Sequence, residues 1–363
     1  MGISGHFLHG GFGFSSHRHG LAVDAVVGMT VVLADGSVVE TSATQNADLF
    51  WALRGAGSNF GIVASWRLQT FEAPKTLTWF NVDLKWTYST ALAGLEALER
   101  YARNEMPSEL NFRVSDYDRG KPGIEGLYYG TETEMRAAIA PLLKAAAPQA
   151  NITQLQTVDW LQAAVHYSFY ETIDWVIPSP VSNSSLHVPL VCFLSLITCS
   201  SLIPLQQEIF FAKSVTLKGL SGKSAQGFVD YWWNNATQMT SRNWWFQLDM
   251  HGGQKSAITQ VSNTQTSYAH RDKLYIIQFY DRIPEGVYPA DGTKFLNGWV
   301  DAVTAPLPKD DWGMYINYAD STLDRKTAQR VYYGSNLRRL QQLKYKYDPT
   351  ELFYYPQSIE PIA

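Results

Sequence analysis

Two glycine clusters lie near the start of the chain, Gly10-Gly11-Phe12-Gly13 and Gly55-Ala56-Gly57-Ser58-Asn59-Phe60-Gly61. Glycine has no Cβ and tolerates positive φ, so such clusters bring backbone close to another group or turn it sharply. The first of them, placed where a loop inside a binding domain is expected, implies a large ligand. The first belongs to the run Gly5-His6-Phe7-Leu8-His9-Gly10-Gly11-Phe12-Gly13. Only Met1 to Ser4 precede that run, so part of the corresponding binding domain is expected to be missing from this chain.

Between the clusters, Ala25 to Leu33 is an apolar, β-branched run. Ala34-Asp35-Gly36 is a turn signal, and Ser37 to Thr41 returns as a strand. Asn46 or Asp48 is placed to cap a short helix, Leu49 to Arg54, with Gly55 at its end. Ile62 to Thr70 reads as a further strand, and Pro74 closes the block. Beyond it, Ala91–Glu105, Glu132–Ala147, Ser224–Ala236 and Lys294–Val303 have helical patterns. Asn111–Ser115, Ile124–Tyr129, Trp245–Met250 and Lys273–Tyr280 read as strands. Thr322 to Tyr347 reads as a helix ended by Asp348-Pro349. The alternation lacks a strict βαβ rhythm, so the fold class is α+β.

Composition narrows the function. A formal charge of −4 without a basic run argues against nucleic acid. His6, His9, His17 and His19 cluster beside glycines with no acidic partner, so no metal site is expected. Cys192 and Cys199 are the only cysteines, too few for a disulfide framework. Aromatics make up 13% of the chain, including 12 Trp and 20 Tyr, and flat aromatic faces suit planar cofactors and sugar rings as well as cores. No signal peptide opens the chain. Sequons at Asn151, Asn183 and Asn235 nevertheless point weakly to a secreted parent. Trp175 to Gln207 carries no charge and includes both cysteines. Residues 181–207 are an anomaly with three readings: a buried or loop segment, a membrane span, or a translated intron. Nothing else in the sequence suggests a membrane protein.

Three regions together resemble the berberine-bridge-enzyme-like flavoproteins of the vanillyl-alcohol oxidase superfamily. The first is Gly5 to Gly13 with Gly20-Leu-Ala-Val-Asp24 and the hairpin. The second is Asp48-Leu-Phe-Trp-Ala-Leu-Arg-Gly-Ala-Gly-Ser-Asn-Phe-Gly-Ile62. The third is Tyr315-Ile-Asn-Tyr318-Ala-Asp, Tyr333-Gly-Ser-Asn336 and Lys346-Tyr-Asp-Pro349 through Pro356-Gln-Ser. Trp245-Phe-Gln247-Leu-Asp249, with Gln278 and Tyr318, is most similar to the fungal gluco- and chito-oligosaccharide oxidases. The resemblance implies part of an FAD-binding domain of the vanillyl-alcohol oxidase type at 1–74. A substrate domain with an antiparallel sheet covered by helices follows at 75–310. A berberine-like segment at 311–363 returns to the first domain.

It also implies the chemistry. FAD takes a hydride from the anomeric carbon of an oligosaccharide, the lactone forms, and O2 reoxidises the flavin to give H2O2. Tyr318 is the implied base and Asp249 the carboxylate that takes up its proton. Trp245, Gln247, Gln278 and Glu125 are the substrate contacts. On a strand, residues i, i+2 and i+4 share a face, so Trp245, Gln247 and Asp249 project together. Tyr315 is the competing base, and strand geometry would put it on the face opposite Tyr318. FAD falls to Gly5, Gly10, Gly11 and Gly13, to Gly57, Ser58, Asn59, Gly61 and Ile62 through backbone groups, and to Asn317. The family's two covalent flavin anchors, a histidine and a cysteine just before Gly5-His6, have no counterpart here. Full-length members are secreted. Rival readings are an oxidase of secondary-metabolite alcohols or amines, and an inactive remnant or sugar-binding module.

Overall fold

The computed structural model describes residues 2–168, 209–283 and 285–363, so segment 181–207, its cysteines and Asn183 lie outside it. The N-terminal hairpin forms as its turn chemistry dictates. Val26–Val32 (β1) and Val38–Ser42 (β2) pair antiparallel, joined at Gly36, whose φ is +81°. Asp35 accepts the Ser37 amide at 2.9 Å inside the turn. Ile62–Leu68 (β3) adds to the other edge, giving the order β2-β1-β3.

The helix Ala47–Ala56 buries Leu49, Phe50, Ala52 and Leu53. Asn46 holds the N-cap position but makes no side-chain cap: it adopts the left-handed conformation and its amide donates to the Glu40 carbonyl at 2.8 Å. Asp48 accepts the first-turn Leu49 amide at 2.9 Å, and also accepts from Lys346 and Tyr347 of the C-terminal segment. The helix breaks at Gly55, with φ +146°, where an added Cβ would lie 2.2 Å from the Tyr268 backbone nitrogen. Backbone strain and overpacking add at this point, so Gly55→Ala is expected to destabilise the fold by about 3 kcal/mol in denaturant unfolding.

Eight strands build the second sheet: Leu77–Asp83 (β4), Leu110–Asp116 (β5), Gly123–Tyr128 (β6), Asn151–Val158 (β7), Ile209–Leu217 (β8), Asn243–Met250 (β9), Tyr275–Ile283 (β10) and Trp312–Gly313 (β11). Among the described residues all its pairings are antiparallel, in the order β11-β8-β10-β9-β5-β6-β4-β7. One face carries Phe112, Val114, Phe246, Leu248 and Phe279, all buried under helices that include Tyr88–Asn104, Glu132–Ala146, Gly222–Tyr231 and Gly292–Thr304. Phe228 and Trp299 from those helices meet Phe246 and Phe279 edge-on or tilted, at 5.0 to 6.3 Å between centroids. Each such ring contributes about 1.5–3 kcal/mol by burial. The α+β class and the helix-covered antiparallel sheet are as expected.

Three features depart from the sequence reading. Ile3–Leu8 and Ser16–His19 are helical, so only His9 to Ser15 between them is loop. Thr322 to Tyr347 is two helices, Arg325–Tyr333 and Leu337–Tyr347, because Gly334 at φ +47° turns the chain between them. Ile316–Tyr318 is a tight helical turn where a strand was expected. Among the described residues no helix is long and apolar enough to cross a membrane, and no cluster of His, Cys, Asp and Glu suits a metal.

Candidate active site

The face of the large sheet opposite the helices floors a cavity of about 1620 Å³. Register places its side chains in cross-strand rows. Ile276, Asp249, Arg113 and Glu125 form one row across β10, β9, β5 and β6. Gln278, Gln247, Ser115 and Gly123 form the next. Tyr280 and Trp245 follow, stacked at 4.6 Å and 10°, then Arg282 and Asn243. Trp245, Gln247 and Asp249 therefore do share a face. From Asp249 to Asn243 the strand runs about 20 Å, at about 3.4 Å per residue.

Asp249 lies beneath the cavity wall, buried, and its Oδ1 accepts from Arg113 Nε at 3.0 Å. Burial raises the Asp249 carboxyl and Arg113 offsets part of that rise. Glu125 Oε2 lies 3.8 Å from Arg113 Nη1. Burial raises Glu125 too; Arg113 opposes the rise and Asp249 adds to it. The Gln247 amide donates to the Tyr117 hydroxyl, and the Tyr117 ring lies 5.7 Å from Trp245.

Tyr318 reaches the cavity from the C-terminal segment. Its hydroxyl makes no hydrogen bond among the described residues. Burial raises its pKa, the negative charge of Asp249 and then Tyr315 raise it further, and Arg113 opposes them. The link from Tyr318 to Asp249 is thus electrostatic. Asp249's hydrogen bond, expected at the phenol, goes to Arg113 instead.

The opposite-face expectation for Tyr315 fails. In a 3₁₀ turn residues i and i+3 eclipse, and the two rings meet edge-on at 5.3 Å and 89°. Burial and bonding separate them instead. Tyr315 is buried, and its hydroxyl accepts the amides of Gly11 at 3.0 Å and Phe12 at 3.3 Å and the Asn317 side chain at 2.9 Å. Its backbone is tied to Ser214 on β8 in both directions, at 2.9 and 3.2 Å.

Of the residues assigned to FAD, only Gly13 lines the cavity, beside Phe12, Phe14 and Ser15. An added Cβ would meet nothing within 4 Å at Gly5 or Gly13. Elsewhere the missing side chain makes room for protein: the Tyr268 ring at Gly10, Ala22 and the His6 carbonyl at Gly11, Leu8 at Gly57, Val31 at Gly61. Ser58 Oγ pairs with His9 Nε2 at 2.9 Å. The Asn59 side chain donates to the Ala56 carbonyl and the Tyr333 hydroxyl and accepts the Ile359 amide, so it holds the C-terminal segment. Ile62 is exposed at the start of β3. The second glycine loop thus supports the first from behind and does not line the cavity. The open Cα side of Gly13, the Gln278 amide and a Tyr318 phenol that bonds to no described residue fit the flat, hydrogen-bonding ring system of a flavin.

Arg113 and Tyr117 escaped the sequence reading. The signal for Arg113 was a lone cation at an alternating position of a strand, in Leu110-Asn-Phe-Arg-Val-Ser.

The berberine and berberine-like family profile matches residues 314–360, which contain Tyr315 and Tyr318. The carbohydrate oxidase of Microdochium nivale is 52% identical over 364 residues, covering all of this chain and 68% of the relative. Its crystal structure with a substrate analogue superposes with a TM-score of 0.89, covering all of this chain and 72% of that one. The xylooligosaccharide oxidase of Thermothelomyces thermophilus is 45% identical over 366 residues (99% of this chain, 68% of the relative), and the glucooligosaccharide oxidase of Sarocladium strictum is 39% identical over 368 (100% and 68%). On these matches the chain belongs to the berberine-bridge-enzyme-like FAD-linked oxidoreductases, beside the fungal oligosaccharide oxidases.

Proposed function

We propose that this chain oxidises the anomeric carbon of a reducing oligosaccharide to the lactone, with O2 as the terminal acceptor. One observation carries the reading: successive rows of a single sheet face set the Gln247–Gln278 pair and Trp245 along the wall of a cavity that Tyr318 also lines, with Asp249 buried in the adjoining row. Ligand pockets for one small molecule usually measure about 300–1,000 Å³. A cavity of about 1620 Å³ has room for a flavin ring and linked sugars together.

The sugar lies along the rows with its reducing end at the Asp249 end. Gln247 and Gln278 hold its hydroxyls, and Trp245, backed by Tyr280, offers an aromatic surface to the next ring. Gly13 in the cavity wall, with Gly5 and Asn317 beyond it, would hold FAD, which when bound would supply the acceptor for the anomeric hydride and pass the electrons to O2 as H2O2. Tyr318 takes the anomeric hydroxyl proton. Burial and the Asp249 charge keep the phenol protonated beforehand, so its own proton passes toward the Asp249 carboxylate as the anomeric proton arrives.

Reducing di- and trisaccharides screened against aromatic alcohols and amines, with peroxide as the readout, test the reading. Peroxide from the sugars is the expected result; peroxide from the aromatics alone refutes it. Trp245→Ala is expected to raise KM for cellobiose about tenfold while kcat changes less than about threefold, the mark of binding shared by ground and transition states. Steady-state kinetics check it.

A further inference from the structure

Arg113 sits between two carboxylates that the register of β9, β5 and β6 brings to it. Asp249 and Glu125 are both its direct cross-strand partners. Nε donates to Asp249 at 3.0 Å, Nη1 stands 3.8 Å from Glu125, and the Phe14 ring lies 4.6 Å from the guanidinium carbon. The Asp249 side chain is 3% exposed and that of Glu125 is 27%. The other cations of the cavity wall are Arg119 and Lys121, in the loop beyond β5, and Arg282, in the row of Asn243. The groups facing Asp249 are Arg113 from β5, Glu125 from β6, Tyr117 from the loop between them, and Tyr315 and Tyr318 from the C-terminal segment. None of these but Arg113 is a cation.

We propose that Arg113 is a positioning residue: it holds Asp249 as a carboxylate beside Tyr318 and keeps Asp249 and Glu125 from sharing a proton. The inference rests on the Tyr318–Asp249 reading above. Two carboxylates taken out of water without a cation cannot both stay ionised, and an opposite charge within hydrogen-bond reach lowers a carboxyl pKa by about 1–3 units. Without Arg113, one carboxylate of the row takes up a proton near neutral pH. The Asp249 charge beside Tyr318 is then lost on the acid side.

The test uses the FAD-loaded chain and its Arg113→Met, Arg113→Lys, Asp249→Asn and Glu125→Gln variants. In Arg113→Met the acid limb of the kcat/KM profile is expected to move up by at least about one pH unit, roughly a tenfold loss on that limb. Arg113→Lys returns it toward the parent value. Glu125→Gln, which keeps the arginine and removes the like charge, moves it the other way. A second readout is independent of turnover: infrared titration in the Glu125→Gln background. The carboxylic acid band that Asp249→Asn abolishes is expected at higher pH once Arg113 is methionine. An unmoved limb with an unmoved band overturns the inference, as does a loss equal at every pH. If Asp249→Asn keeps parental turnover and profile, the underlying reading of Asp249 fails. If Asp249→Asn is impaired while Arg113→Met leaves the profile in place, only the role of Arg113 fails.

Discussion

Tyr318→Phe is expected to lower kcat by about 10²–10⁴-fold, the range for loss of a positioned general base, while the unfolding midpoint stays put. The two halves of this expectation come from one fact. The Tyr318 hydroxyl bonds to no described residue, so its removal breaks nothing the fold uses, and the half-buried ring keeps its edge-on contact with Tyr315. Tyr315→Phe should behave differently. That hydroxyl accepts from Gly11, Phe12 and Asn317, so its loss leaves buried amides without a partner. A buried unsatisfied donor costs about 1–3 kcal/mol. Parallel kinetics and melts of the two variants separate the roles. Parental turnover in Tyr318→Phe would end its assignment as the base.

Asp348→Ala is expected to destabilise the fold by about 3–5 kcal/mol, because it strands a buried cation. Lys344 and Asp348 are 0% exposed and pair at 2.5 Å. The lysine also donates to the carbonyls of Asn59 at 2.8 Å and Phe353 at 3.1 Å, and Asp348 accepts the amides of Leu352 and Phe353. Burial alone would raise the Asp348 carboxyl; Lys344 and the two amides outweigh it and hold the carboxyl below its ordinary range. A depressed carboxyl contributes stability above its unfolded pKa, and that contribution is lost as pH falls through the folded value. The parent should therefore lose stability on acidification, and Asp348→Ala should lack this part of the loss. Denaturant unfolding at neutral and acid pH measures both. Lys344→Met with Asp348→Leu should recover only the part due to the stranded cation, since the Leu352 and Phe353 amides and the Asn59 and Phe353 carbonyls stay without their partners. A mild single variant, within about 1 kcal/mol of the parent, would show that the pair does not bear on this junction.

What the sequence disclosed about this site follows from how far each signal reaches. Trp245, Gln247 and Asp249 share a face by strand alternation alone, within five residues, and the structure places them together. The hairpin was legible because its turn residues sit inside it. Arg113 was not, because its meaning depends on pairing with a strand 136 residues away. The Tyr315–Tyr318 geometry was misread because nothing in Tyr-Ile-Asn-Tyr separates a strand from one tight turn; Ser214, far earlier in the chain, fixes that backbone. β4 and the edge strand β7 went unread, the latter because Asn-Ile-Thr-Gln-Leu-Gln-Thr-Val is mostly polar and largely exposed. Asn46 and Asp48 were read as caps of the helix Ala47–Ala56 because they sit at its start; the Asn46 amide turns back to Glu40, and Asp48 divides between the Leu49 amide and the distant Lys346.

The buried tyrosine that gathers the amides of Gly11 and Phe12 stands three residues before the phenol in the cavity, so the first and last portions of the polypeptide meet at one knot. Cutting or loosening the C-terminal stretch would withdraw the proposed proton acceptor and the loop support in a single event. Inactivation should then precede melting of the broad sheet, whose β5, β6, β9 and β10 floor stays stitched by its own ladders.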